Sequence, residues 1–152
     1  MPRKTKTTKK SRALYRLNLP AHSENLHVIR KFVSEIASNL GFDEEAMYQI
    51  ELAVDEACTN VIKHAYRNDQ QSEKIIKITL KVKEDRLIII VADKGCGFNP
   101  AAIKSPDMEK YIKKGKRGGL GLHLIKSLMD EVSFRMKPGV RNEVIMVKKR
   151  KG

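Results

Sequence analysis

Three short stretches combine residue types that could bind a ligand or move a proton. In "ELAVDEACTNVIKHAY", Glu51 to Tyr66, an acid and an amide, Glu56 and Asn60, follow each other at one helical turn. At about 100° per residue they share a face with Lys63 and Arg67, with His64 at its edge, while Met47, Ile50, Val54, Ala57, Cys58, Val61, Ile62 and Ala65 gather on the other side. A core face and a solvated face would account for this, yet asparagine is a mediocre helix former because its side chain competes for backbone hydrogen bonds. In "VADKGCGFNP" an apolar run delivers Asp93 to its end, with Gly95 and Gly97 following. A carboxylate placed there can accept a hydrogen bond from a ligand that glycines let come close; the same pattern is also an ordinary turn. In "KGKRGGLGLHLIKSLMD", Gly118, Gly119 and Gly121 lead into a helix, with Lys114, Lys116 and Arg117 nearby. Amides at a helix start, free of side-chain bulk, form an anion site. A glycine-rich linker capping a helix would look alike, and the Gly-x-x-x-x-Gly-Lys-Ser/Thr loop is absent.

The elements that must position these residues read clearly in most places. "ALYRLNLP" alternates and stops at Pro20, as a strand does. "SENLHVIRKFVSEIASNLG" spaces Leu26, Ile29, Phe32, Val33, Ile36 and Leu40 as a helix, with Ser23 a candidate cap and Gly41 after its end. A second helix opens at Asp43, a plausible N-cap before Glu44 and Glu45, and is expected to run to about Tyr66. "RNDQQSE" is a polar loop, and "KIIKITLKV" and "RLIIIVAD" are strands joined by "KEDR", the second apolar enough to be central. Gly95 to Gly121 reads as a mobile functional loop with a short helix near "PDMEKYI". The helix "LHLIKSLMDEV", the strand "VSFRMK", the turn "PGVRN" and the strand "EVIMVKKR" follow. This order predicts an α+β fold, a two-layer α/β sandwich with helices packed on one face of a mixed, mostly antiparallel sheet.

The chain has 152 residues, 41% of them hydrophobic, which suits one domain around one core. Its formal charge of +13 is unevenly spread: Arg3, Lys4, Lys6, Lys9, Lys10 and Arg12 crowd residues 1–12, which hold no acid and read as a disordered basic tail before a domain over 13–152. A nucleic-acid-binding domain is the reading that such charge invites, but aromatics at 5% and no Trp leave little for base stacking. No membrane-spanning run and no secretory apolar stretch is present, so the expected location is cytoplasmic, with no membrane partner. Cys58 and Cys96 show no metal-ligand spacing and are expected to be free thiols.

Taken in order, Glu-x-x-x-Asn on a helix, Asp-x-Gly-x-Gly after a strand and Arg-Gly-Gly-Leu-Gly-Leu opening a helix resemble the nucleotide-binding boxes of the GHKL (Bergerat-fold) ATPase superfamily of gyrase, MutL and histidine kinases. Within it, "DEACTNVIKHAY" and "DKGCGFNP...RGGLGLHLIKSLMDEV" look most like the anti-sigma factor serine/threonine kinases of partner-switching systems.

The resemblance implies ATP and Mg²⁺, with Asn60 as the Mg²⁺ ligand and Glu56 as the general base that takes a proton from a substrate serine. It implies that Asp93 accepts from the adenine amino group beside Gly95 and Gly97. Gly119, Gly121 and the helix start at Leu122 would hold the phosphates, with Arg117 at the terminal one. One departure stands out: the family's Gly-Thr pair before the last strand, which helps to hold adenine, is replaced by "PGVRNEV", where Asn142 is a candidate substitute. Arg30 sits where similar proteins contact their partners. The implied function is an ATP-dependent protein serine kinase and anti-sigma factor, a homodimer that binds a sigma factor and phosphorylates an anti-anti-sigma factor, with no specific nucleic acid. The alternative is a non-kinase ATP-binding module that switches a partner by nucleotide state.

Overall fold

A computed structural model describes residues 13–66, 73–97 and 117–151, without the side chains of 117–120. The basic tail and the short helix expected near "PDMEKYI" lie outside the described residues. Five strands, β1 (Ala13–Pro20), β2 (Ile75–Val82), β3 (Arg86–Asp93), β4 (Glu131–Lys137) and β5 (Arg141–Lys149), form one sheet in the order β1-β2-β3-β5-β4. Among the described residues the α-helices are α1 (Leu26–Ser38), α2 (Glu44–Asn60) and α3 (Arg117–Leu128). Every ladder among the described residues is antiparallel, which sharpens the expected mixed sheet. α1 and α2 bridge β1 to β2, and α3 carries the chain from β3 to β4.

Strand periodicity decides what faces the helices. Ile76, Ile78, Leu80 and Val82 of β2, and Leu87, Ile89 and Val91 of β3, are buried in one core with Ile29 and Val33 of α1, Ile50, Val54 and Ala57 of α2, and Ile125 of α3. β3 lies at the middle of the sheet, which accounts for its near-continuous apolar sequence. The same inward parity puts Asp93 at the end of β3 and Asn142 at the start of β5, directly opposite each other in the ladder.

One helix start and one helix end here differ from the sequence expectation, and one start agrees with it. Ser23 opens a separate 3₁₀ turn (Ser23–Asn25) instead of capping α1, and Asn25 Nδ2 donates to the Pro20 carbonyl at 2.8 Å. Asp43 does cap α2, accepting from the Ala46 amide at 2.8 Å. α2 ends at Asn60, and residues Val61–Ala65 form a π turn.

Candidate functional site

The first cluster is built by α2 and α3. Glu56 and Asn60 are both half-buried on the face of α2 that meets Gly121. A Cβ at Gly121 would stand 2.8 Å from Glu56 Oε2 and 3.5 Å and 3.6 Å from the Asn60 amide nitrogen and oxygen. Glycine is therefore what lets α3 come this close to the acid and the amide. α3 begins at Arg117, so the glycines lie inside its first two turns and not ahead of it. The free amides of a helix are its first four, so Gly119 contributes one while Gly121, the fifth residue, pairs within the helix and serves by its small size. Leu122 is buried, its side chain belonging to the core. The Arg117 side chain is not among those described.

Asn60 Nδ2 is buried without a hydrogen-bond partner. A carboxamide uncommitted to the protein can turn its oxygen toward a cation, and a neutral oxygen beside a carboxylate is a suitable hard ligand, so these residues fit Mg²⁺. Among the described residues no group of three or more His, Cys, Asp or Glu side chains could hold a metal ion. An ion bound here would therefore draw the rest of its coordination from the ligand's oxygens and water.

The second cluster lies where β3 and β5 end and begin. Asp93 Oδ1 accepts from the Gly95 amide at 2.7 Å and from Asn142 Nδ2 at 3.0 Å, and Asn142 Nδ2 also donates to the Gly95 carbonyl at 2.8 Å. Asn142 is 1% exposed and its Oδ1 has no partner. Gly97 takes a φ of +67° against that oxygen; a Cβ there would approach it to 2.7 Å.

The π turn joins the two clusters. It starts immediately after Asn60 and ends at Ala65, whose carbonyl accepts from the Cys96 amide at 2.8 Å. A Cβ at Gly95 would fall 1.9 Å from that same carbonyl oxygen, so the Asp93 loop closes on α2 only with glycine there. Tyr66, next in the chain and buried, donates its hydroxyl to the Ile75 carbonyl at 2.6 Å and accepts from the Lys94 amide at 3.0 Å. Sequence reading missed Ala65 and Tyr66 because their part depends on contacts with distant segments. For Asn142 a signal did exist: in the alternation Asn142, Val144, Met146, Lys148 a polar residue occupies an inward position.

Of the two thiols, Cys58 is buried and Cys96 exposed. Burial pushes the Cys58 thiol well above its ordinary range, with the Asp55 charge acting in the same direction. Arg30 lies on α1, where its Nε donates to Asp55 Oδ1 of α2 at 2.7 Å. That bond, then the Asp55 charge, raises the Arg30 pKa.

Residues 19–148 match the family described as the histidine kinase-like ATPase domain. The chain belongs to that family. It is 38% identical over 132 residues to the serine-protein kinase RsbW of Bacillus pumilus, covering 84% of this chain and 81% of that protein. It is also 38% identical to the proteins of the same name from Bacillus subtilis (82% and 79% covered) and Staphylococcus aureus (82% and 80% covered). The fold is shared with the crystal structure of the RsbU and RsbW domains of a Mycobacterium tuberculosis protein, with a TM-score of 0.66 at 16% identity over 92% of this chain and 33% of that one.

Proposed function

We propose that this protein is an ATP-dependent protein serine kinase and anti-sigma factor, which holds a sigma factor in one state and phosphorylates an anti-anti-sigma factor in the other. The observation that carries the reading is the close approach of Gly121 to Glu56 and Asn60, which puts an acid, an amide and a helix start around one point. The names of the relatives, serine-protein kinases, supply the class of reaction. The adenine amino group donates to Asp93. The free amides at the start of α3, Gly119 among them, would hold the phosphates, and Arg117 would serve the terminal one. Mg²⁺, when bound through Asn60, screens the phosphate charge. Glu56 accepts the proton of the attacking serine hydroxyl. The protein works as a homodimer in the cytoplasm, and Arg30 contributes to partner capture from the surface of α1.

Labelled ATP, Mg²⁺ and a serine-bearing antagonist protein test this directly. Label is expected to appear on serine with the wild-type protein and to be lost with Glu56→Ala and with Asn60→Ala. Nucleotide binding without any transfer by the wild type would shift the assignment to a regulatory module switched by nucleotide state.

A further inference from the structure

We infer that Lys148 is a positioning residue for phosphoryl transfer: from the far end of α3 it fixes how Gly121 meets Glu56 and Asn60. This rests on the kinase reading above. The contacts between α2 and α3 fall on one stripe of each helix. On α2 the stripe is Gln49, Ala53, Glu56 and Asn60, and on α3 it is Gly121, Ile125 and Leu128, each with the three- and four-residue steps of one helix face. Gly121 stands at the Glu56 and Asn60 end. At the other end Lys148 Nζ donates to Gln49 Oε1 and, at 2.7 Å, to the Leu128 carbonyl. The two helices are therefore antiparallel and tied at two points, which the rise of a helix sets about 10 Å apart. Ala53 and Ile125, midway along the stripes, are fully buried.

Lys148 reaches this seam from β5. It stands opposite Leu87 in the β3–β5 ladder, on the helix side of the sheet, and is 8% exposed. Both of its acceptors are neutral, and among the described residues no carboxylate pairs with it. An ammonium taken out of water without a counter-charge is costly, so it holds firmly to the acceptors it has. A cleft of about 400 Å³ opens here, lined by Glu45, Ala46 and Gln49 of α2 and Ser127 and Leu128 of α3 besides Lys148. Side-chain packing leaves this end of the seam open, and the lysine spans it. At the Gly121 end there is little room, since a Cβ there would stand only 2.8 Å from Glu56 Oε2. A helix released at Leu128 and braced at Ile125 pivots, and its Gly121 end moves against the acid that takes the proton. A displacement of about 1 Å can slow a reaction by as much as about 10²-fold. Lys148 acts through α3 and takes no part in the transfer itself.

The test compares the full chain with Lys148→Met, Gly121→Ala and the double variant, by single-turnover transfer at saturating ATP and Mg²⁺ to the serine-bearing partner, with ATP affinity and melting alongside. Lys148→Met is expected to slow transfer by about tenfold while ATP affinity falls by less than about threefold, the split of a residue that serves the reacting geometry. Sites this far apart ordinarily act independently, yet here the double variant should be no more than about threefold slower than Gly121→Ala alone, because both changes displace the same contact. Without nucleotide, amide exchange at Gly121 and Leu122 should quicken by about fivefold or more in Lys148→Met, with β2 unchanged. Should Lys148→Met fail to fold, Gln49→Leu cuts the α2 arm of the bridge alone and is expected to show the same split. A folded variant that transfers within about twofold of the wild type, or effects that multiply in the double variant, would overturn the inference and leave the kinase reading standing. A wild-type protein that transfers no phosphate would overturn the kinase reading, and this inference with it.

Discussion

Glu56 owes its position to a residue that has no side chain. At Gly121 an added methyl would meet Glu56 Oε2, the far end of a flexible side chain, and not backbone. Gly121→Ala should therefore leave stability unchanged or raise it by up to about 1 kcal/mol, alanine being the better helix former, while displacing the base. Phosphoryl transfer is expected to fall about tenfold or more, because catalysis depends steeply on the geometry of the reacting groups. Melting and transfer measured on the same preparation separate the two effects. The thiols give a second residue-scale check: with Cys58 buried and its pKa raised, alkylation of the native protein should modify Cys96 alone, and mass spectrometry should find one adduct until denaturant is added. Glu56, Asn60 and Asp93 were legible in the sequence because a helix turn and a strand end are local features. The orientation of the Asn142 amide was not, since it depends on β3–β5 register and on Gly95, neither visible in "PGVRNEV".

Among the elements, the end of α2 matters most. A continuous helix to Tyr66 is what the apolar spacing predicts, and the chain departs from it at Val61–Ala65. The wider turn leaves the Ala65 carbonyl to pair with Cys96 across the molecule, a long-range contact that local periodicity cannot report. Gly95→Ala would drive a methyl into that carbonyl, where backbone and not a side chain must yield. A loss of about 1–3 kcal/mol is expected from urea unfolding, with ATP affinity falling as the Asp93 loop moves. At the other end of α3, buried Lys148 donates to the Leu128 carbonyl at 2.7 Å and to Gln49 Oε1, a cation at the negative end of the helix. Lys148→Met leaves that carbonyl without its donor and should cost about 1–2 kcal/mol by the same assay. The start of α3 was misplaced by the sequence because glycines read as loop, whereas here packing against α2 holds them in a helix.

At the scale of the whole molecule, the sandwich brings three segments far apart in the chain to one edge: α2, the β3–β5 end and the start of α3. The class of fold was legible from element order and strand alternation, and the resemblance supplied the rest of the site. The surface charge has a separate reading. Arg30 on α1 is half exposed and paired with Asp55 of α2. Arg30→Ala, a change at a half-exposed side chain, is expected to leave ATP binding within about twofold and to weaken capture of the partner protein. Equal capture by mutant and wild type in a pull-down would remove Arg30 from the interface.

The central claim is that Glu56 removes a proton in the transfer step and is not needed merely to bind nucleotide. Single-turnover transfer from bound ATP to the serine-bearing partner, compared between wild type and Glu56→Gln at equal ATP occupancy, tests it most directly. ATP affinity should agree within about twofold, and the rate should fall by about 10²-fold or more, the usual worth of a general base. A Glu56→Gln protein that transfers phosphate at the wild-type rate would contradict the account.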